Sequence, residues 1–490
     1  MGLQNGTHDA ETFDILIVGA GIAGINAAYR LQTELPGATF TILEGRGTIG
    51  GTWDLFRYPG IRSDSDLFTF GFQWEPWPYE TPIAKGPLIR EYLNNCVTKY
   101  KLDQYMQFHH KVLTADWSIK TKQWKITAEH DGQKKEYRAN WVVLGTGYYD
   151  YENPLKTVIP GLENFKGKVI HPQYWPEDYD HSGKKMVIIG SGATAITLLP
   201  TLAETAAAVT MVQRTPTYIV TMSNGSPAKS WFMSLFPKKF SGTWLRILYL
   251  WTGYLFVLFS RYCPNAARFV VLKKATSQLP ERIPLSPHFE PPYTPWQQRL
   301  CLSPDGDFYQ ALRDYPDTQV VTGQIDTVTE SGLRMKDGTT LEADALVTAT
   351  GLRMRMGGNV AVTIDGVKVD WAGRVLWHGS MIQDVPNMMF MIGYTDASWT
   401  LGADSSAHIL VRLQKYMRSK GITSAVPRVP QQGFTEYRKF WQLTSTYRDQ
   451  AEKTLPKYGN TGPWKPKNSP PLDWLHGKWG DIVTGLQFSS

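Results

Sequence analysis

Residues 13–24, FDILIVGAGIAG, set a short, mostly apolar run against three spaced glycines, and a helical pattern, INAAYRLQTEL, begins directly after them. Such a run bounded by a glycine turn reads as a strand buried on both faces of a parallel sheet. Gly19 permits the tight turn, Gly21 lets backbone approach a pyrophosphate, and Gly24 lets the helix pack closely on the strand. The next strand, TFTILE, ends at Glu44, 20 residues beyond Gly24. A carboxylate there can accept the hydroxyls of an adenosine ribose.

A second unit of the same kind begins at residues 186–200, MVIIGSGATAITLLP, with Gly190, Gly192 and Ala195 in the equivalent roles. Its following strand, AAVTMVQ, ends at Arg214 and Thr215. The first unit thus places an anion where the second places a cation. An anion favours a free ribose, as in FAD, whereas Arg214 followed by Thr215 suits a 2′-phosphate held by charge-assisted hydrogen bonds. We therefore expect FAD at the first site and NADPH at the second; the competing reading makes Arg214 a solvated charge at a strand end. Two apolar strands end in similar turns, Gly145-Thr146-Gly147 and Thr350-Gly351. Such turns mark where a chain passes between nucleotide domains. The expected fold class is α/β with two Rossmann-like dinucleotide-binding domains. The FAD-binding domain takes residues 1–150 and, with a C-terminal tail, 346–490. The NADPH-binding domain takes 151–345 and carries a helical insert at about 222–285.

Between the two glycine turns stands FKGKVIHPQYWP, residues 165–176, too polar for a core strand and too rich in glycine and proline for a long helix. Phe165, Gly167, His171, Trp175 and Pro176 meet the pattern FxGxxxHxxxWP, and with it the chain resembles the class B flavoprotein monooxygenases, within them the Baeyer–Villiger monooxygenases. The loop with Gly51, Thr52 and Trp53, followed by RYPG, resembles that family's flavin-side loop. SDSDLFTFGF, QRLCLSPDGD and GYTDASWTL resemble its thioamide-prodrug-activating subgroup. The resemblance implies an FAD- and NADPH-dependent enzyme that uses O2, through a C4a-peroxyflavin, to convert hydrophobic ketones to esters or lactones and to oxidise sulfides. It implies that Arg299 holds the oxygenating anion and that Asp64, also at the flavin side, orients Arg299. A guanidinium suits this task because it is planar, multidentate and permanently charged. Without the resemblance, each residue reads more readily as a surface ion-pair member. His171 titrates in a useful range, but the resemblance implies that it relays domain movement. One departure stands out: Gln298 occupies the position where many members carry a lysine for the NADPH phosphate, which shifts that task toward Arg214. The rivals are a nitrogen- or sulfur-oxygenating flavin monooxygenase, acting on thioamides, sulfides or amines, a disulfide reductase, and a flavin-binding module without turnover. The Trp175-Pro176 ending and Arg299 speak against the first, and the lack of a close cysteine pair against the second. Retention of Arg299 and the second glycine turn argues against the third.

Cys96, Cys263 and Cys301 are too few and too scattered for a disulfide framework, which suits a reducing, cytoplasmic compartment,. The first residues, MGLQNGTHDAETFD, lack the pattern of a secretory signal,. No metal and no nucleic acid are expected. The net charge of +7 has one source: from Thr205 to Pro280 there is no Asp or Glu, yet nine of the 51 basic residues lie there. The same segment contains WLRILYLWTGYLFVLFSRY, whose uncharged run from Ile247 to Ser260 is 14 residues. That is short of the ~20 needed to span a bilayer. It reads as a helix over the substrate entrance or, compatibly, as peripheral membrane contact within residues 231–274, with Trp244, Leu248, Trp251, Leu255 and Phe259 entering the interface.

Overall fold

Glu11–Val18 lies between Phe40–Leu43 and Gln133–Leu144, parallel to both, with Ile15 opposite Phe40 on one side and Trp141 on the other. Ile15, Leu16 and Ile17 have no exposed surface, as expected of a strand covered on both faces,. This computed structural model describes residues 10–394, 396–441 and 452–490. Most of the N-terminal stretch noted above, Thr395 of GYTDASWTL and residues 442–451 of the C-terminal part lie outside them. Gln133–Leu144 is the pivot of the first sheet: it continues antiparallel into Gln123–His130 and Lys111–Ser118. The late strands Met388–Phe390 and Ala361–Ile364 return to this sheet, pairing with Gln133–Leu144 and Lys111–Ser118.

A second sheet has five strands, all parallel, in the order Thr318–Thr322, Ala208–Gln213, Lys185–Ile189, Ala345–Thr348, Lys168–Ile170. Because Ala345–Thr348 is its fourth strand, the chain leaves this sheet at 349–355 and not at 345, a few residues later than the sequence suggests. The outgoing and returning segments lie side by side. Asp150 donates its amide to the Arg353 carbonyl at 2.8 Å, and Arg355 donates to that of Tyr148 at 2.9 Å.

Between Ile219–Met222 and Cys301–Pro304, themselves paired in parallel, the chain throws out the helices Pro227–Leu235, Lys238–Tyr262 and Pro264–Thr276, followed by the short segment Leu285–His288. Pro237 and Pro264 bracket the longest, each fitting a helix start and not an interior,. The uncharged run of 14 residues extends in both directions into a helix of 25. Ser241, Leu245, Arg246 and Ser260 form its buried side. The buried guanidinium of Arg246 donates to the carbonyls of Phe68, Thr69 and Gly71 at 2.9, 3.0 and 2.7 Å. Those carbonyls belong to the short helix Leu67–Phe70 and the residue after it.

Candidate functional site

The first glycine turn is built to the limit of backbone contact. Gly19 has φ +99°, and a Cβ on Gly24 would stand 1.9 Å from the Gly19 carbonyl oxygen. Any side chain at Gly24 is excluded, so helix Ile22–Glu34 starts directly against the strand end with its N-terminal amides free for an anion. Glu44 is buried and accepts from the amides of Ala20 at 2.7 Å and Arg46 at 2.9 Å. Burial raises its pKa above the usual carboxylate value, and the two amides pull it back down. These bonds fix the carboxylate beside the turn, with acceptor capacity to spare.

Facing Gly21 is the loop that carries Gly51, Thr52 and Trp53. Gly51 takes φ +55°, and a Cβ there would lie 3.2 Å from Gly21 Cα. Thr52 Oγ1 and the Tyr151 hydroxyl are 3.0 Å apart. What supports this loop is not visible in any local pattern. Asp54, almost wholly buried, pairs with Arg46, with Arg57 at 2.8 Å and with Arg90 at 3.1 Å. Three guanidiniums converge on this one carboxylate and hold the loop in place.

The second turn is similar. Gly190 takes φ +137°, and its Cβ would strike the Ala349 carbonyl at 2.2 Å. Gly192 faces open space, Ala195 is buried at the start of helix Ala193–Ala203, and Arg214 is exposed where the adjacent strand ends. Ser191 Oγ donates to the Thr215 carbonyl at 2.8 Å, drawing that loop over the turn.

An open cleft lies between the two turns, with Gly21, Gly51, Thr52 and Trp53 on one wall and Ala193, Thr194 and Thr197 on the other. Asp64 and Arg299, 235 residues apart in the chain, both line it, and Arg299 Nη1 donates to Asp64 Oδ2 at 2.9 Å. Tyr58, Tyr148, Tyr149 and Trp399 complete an aromatic lining. The Tyr148 and Tyr149 hydroxyls are 2.7 Å apart. Burial pushes Tyr149 well above its ordinary value and Tyr58 up to about 12, so both phenols stay protonated. Burial likewise raises the Asp396 carboxyl, against the pull of Arg261 and Arg299. Three residues before Arg299, Trp296 takes φ +68°. That conformation is uncommon for a bulky residue and costs ~1–3 kcal/mol, stored in the turn leading to Arg299.

The connector 165–176 joins these parts. Phe165 sits in the core beneath Val187 and Ile189, and a Cβ on Gly167 would strike the Asp344 carbonyl at 2.4 Å. Trp175 packs in one cluster with Phe56 and Tyr58 of the flavin-side loop and with Ile188 and Leu199 of the second sheet's layer. Pro176 closes the stretch, its carbonyl accepting from the Tyr179 amide at 3.1 Å. His171 Nδ1 accepts from the Gln173 amide at 3.2 Å, and Gln173 Nε2 donates to the Asp150 carbonyl at 2.8 Å. Burial lowers the His171 pKa, leaving a neutral ring that caps a turn. His171 is therefore clamped to the segment crossing between the sheets and does not line the cleft. Gln298 adjoins Arg299, partly exposed. Among the described residues no cluster of His, Cys, Asp or Glu could hold a metal ion.

Comparisons with known proteins give the family and the fold. A family model described as flavin-binding monooxygenase-like matches residues 76–248, and one for an NAD(P)-binding Rossmann-like domain matches residues 17–83. An FAD-containing monooxygenase, EthA, of Mycolicibacterium smegmatis is 41% identical over 463 residues, 94% of this chain and 93% of the relative. A probable FAD-binding monooxygenase, AlmA, of Acinetobacter baylyi is 42% identical over 458 residues, 93% and 92% of the two chains. In fold, the chain is similar to the crystal structure of OTEMO in complex with FAD and NADP, with TM-score 0.76 and 18% identity over 98% of this chain and 100% of that one. It is similar also to an open crystal structure of cyclohexanone monooxygenase, with TM-score 0.74 and 22% identity over 98% and 100%.

Proposed function

The chain belongs to the family of flavin-binding, FAD-containing monooxygenases, and from that premise we propose that it is a Baeyer–Villiger oxygenase of hydrophobic ketones. In this reaction ketone, O2, NADPH and a proton become ester or lactone, NADP⁺ and water. One oxygen atom enters the bond beside the carbonyl and the other leaves as water. FAD and NADPH are the cofactors, and the flavin, when bound and reduced, supplies the activated oxygen.

The residues fit these cofactors. Glu44 and the turn Gly19, Gly21 and Gly24 would hold the adenosine and pyrophosphate of FAD beneath the loop of Gly51, Thr52 and Trp53. Gly190, Gly192 and Ala195 would hold NADPH, with Arg214 and Thr215 at its 2′-phosphate. A Cβ at Gly24 or Gly190 would collide with backbone, whereas Gly21 and Gly192 keep the space a pyrophosphate needs.

The observation that carries the reading is the 2.9 Å bond between Arg299 and Asp64 inside an aromatic cleft between two dinucleotide turns. Arg299 keeps its charge throughout turnover and can hold negative charge as it develops on the substrate carbonyl oxygen. Asp64 is a positioning residue that fixes the direction of the guanidinium. The protonated tyrosines and Trp399 exclude water and give apolar surface to an aliphatic ketone. His171, tied through Gln173 to Asp150, serves as a coupling residue between the sheets. Sulfide or thioamide oxygenation is the second reading, supported by Asp64, Arg299 and Trp399, one from each of the three subgroup-like stretches, all lining this cleft. A thioether carries no carbonyl oxygen for Arg299 to stabilise, so that reaction depends less on the pair.

The test supplies the FAD-loaded enzyme with NADPH, ¹⁸O2 and either a medium-chain ketone or a thioether. The proposal expects ester with one labelled oxygen, dependent on Arg299. NADPH consumption with hydrogen peroxide and no ester, alongside sulfoxide formed equally by Arg299→Ala, would replace it with the second reading.

A further inference from the structure

The helix Lys238–Tyr262 turns its apolar side outward. Phe240, Trp244, Leu248, Trp251, Leu255 and Phe259 recur every three or four residues, which places them on one face. Each is exposed, from 38% at Phe259 to 57% at Leu255. The stripe covers most of a helix ~37 Å long,. Globular proteins bury such a face, and contiguous exposed apolar patches of this kind mark interaction sites.

Charge narrows the partner. No acidic residue occurs from Thr205 to Pro280, and Lys238, Lys239, Arg261, Lys273 and Lys274 are all exposed around the stripe. A second copy of the chain laid on this face would bring those cations against their own equivalents. An anionic surface would neutralise them while the stripe is covered, and exposed aromatic residues at both ends, Trp231 and Tyr262, suit a bilayer interface,.

The opposite face decides how the helix meets the bilayer. By length and composition this is the one helix among the described residues able to cross a membrane. Yet Arg246 is fixed by three carbonyls of residues 68–71, and Gly242 is pressed so close to Pro76 that a Cβ would approach it to 2.8 Å. Spanning would strip this welded face. We propose that Lys238–Tyr262 lies flat on a phospholipid bilayer bearing anionic headgroups, with its stripe in the interface and its lysines and Arg261 on the headgroups. The anchoring carbonyls adjoin Phe70, a wall residue of the cleft, so docking brings the cleft to the bilayer surface. The inference is independent of the choice of substrate.

FAD-loaded full-length protein is sedimented with vesicles of phosphatidylcholine alone, or with about a third phosphatidylglycerol. At low salt, pelleting with the anionic vesicles should exceed that with neutral ones by at least about tenfold and fall steeply at high salt. Trp251→Glu, and separately Lys238→Glu with Lys239→Glu, should each reduce it severalfold with flavin content and melting temperature unchanged. Absence of pelleting with anionic vesicles at low salt, equal pelleting with neutral ones, or undiminished binding by Trp251→Glu overturns the proposal. So does a vesicle-free dimer, seen by light scattering, that Trp251→Glu dissolves, since a second copy would then cover the stripe.

Discussion

Arg299 and Asp64 meet at 2.9 Å across the seam between the two sheets, one from the segment ahead of Cys301–Pro304 and the other from the flavin-side loop. Neither side chain is deeply buried, so as an isolated surface pair their bond would contribute little to stability. Its value is directional. Arg299→Ala should lower ester formation by roughly 10²–10³, the effect of removing one fixed donor to a developing oxyanion, while NADPH-dependent flavin reduction persists. Asp64→Asn should lower kcat and leave the KM for ketone nearly unchanged, as expected of a residue that aims another. Product analysis beside stopped-flow flavin reduction checks both.

Gly24→Ala tests the first turn. A methyl group 1.9 Å from the Gly19 carbonyl forces helix Ile22–Glu34 away from the strand. Flavin affinity should fall at least tenfold, a loss of ~1.4 kcal/mol, read by titrating FAD into the stripped protein. Gly192→Ala meets no atom within 4 Å and should leave flavin occupancy intact while weakening NADPH.

Arg214 is exposed at the end of Ala208–Gln213, with no lysine at position 298 to share its task. Arg214→Ala should raise the KM for NADPH roughly tenfold or more, the scale of a lost charged hydrogen bond, and leave that for NADH unchanged. Steady-state kinetics with both nucleotides separates the two; an equal change in each would remove the 2′-phosphate assignment.

Gly19 and Gly24 of the first turn were legible because their requirement is local: backbone meets backbone there, and a side chain is excluded by φ at Gly19 and by contact at Gly24. Arg299 and Asp64 were legible only through a family pattern, since nothing in the spacing of residues 64 and 299 brings them together. The aromatic wall was not legible at all. Tyr58, Tyr148, Tyr149 and Trp399 come from three separate segments, and long-range packing alone decides that they face one cleft. Asp54 and its three arginines were equally hidden, because Arg46, Arg57 and Arg90 share no period with it. The helix Lys238–Tyr262 shows a subtler limit: its period announces an apolar face, but periodicity is the same whether that face points in or out. Arg246, the least hydrophobic residue on the inner side, settles the direction.

His378 reports on acid stability. Its ring lies against Trp377 and His476, with His476 Nε2 3.4 Å from its own Nε2. Burial, then the charges of His476 and Lys467, lower its pKa from 6.5 to about 3, with Asp481 pulling the other way. Between those values the unfolded chain binds a proton that the folded chain refuses, so stability is present above about pH 6.5 and is lost as pH falls toward 3. The melting temperature should drop between about pH 7 and pH 5, and His378→Gln should flatten that slope. Glu34, held at about 2 first by the His408 ring 3.7 Å away, then by Arg30 against burial, adds its own loss only below about pH 4.5.

The paired segments 148–150 and 353–355 have a practical meaning. Where the chain departs from the first sheet and where it comes back, the two backbones are already hydrogen-bonded neighbours. Everything between them therefore leaves and rejoins the first sheet at one point, tied to the rest meanwhile by Arg246 on residues 68–71 and by Trp175 on Phe56 and Tyr58. A short turn could close the gap without stretching the first sheet, and the excised piece, whose ends meet, is suited to being moved between relatives as one genetic unit.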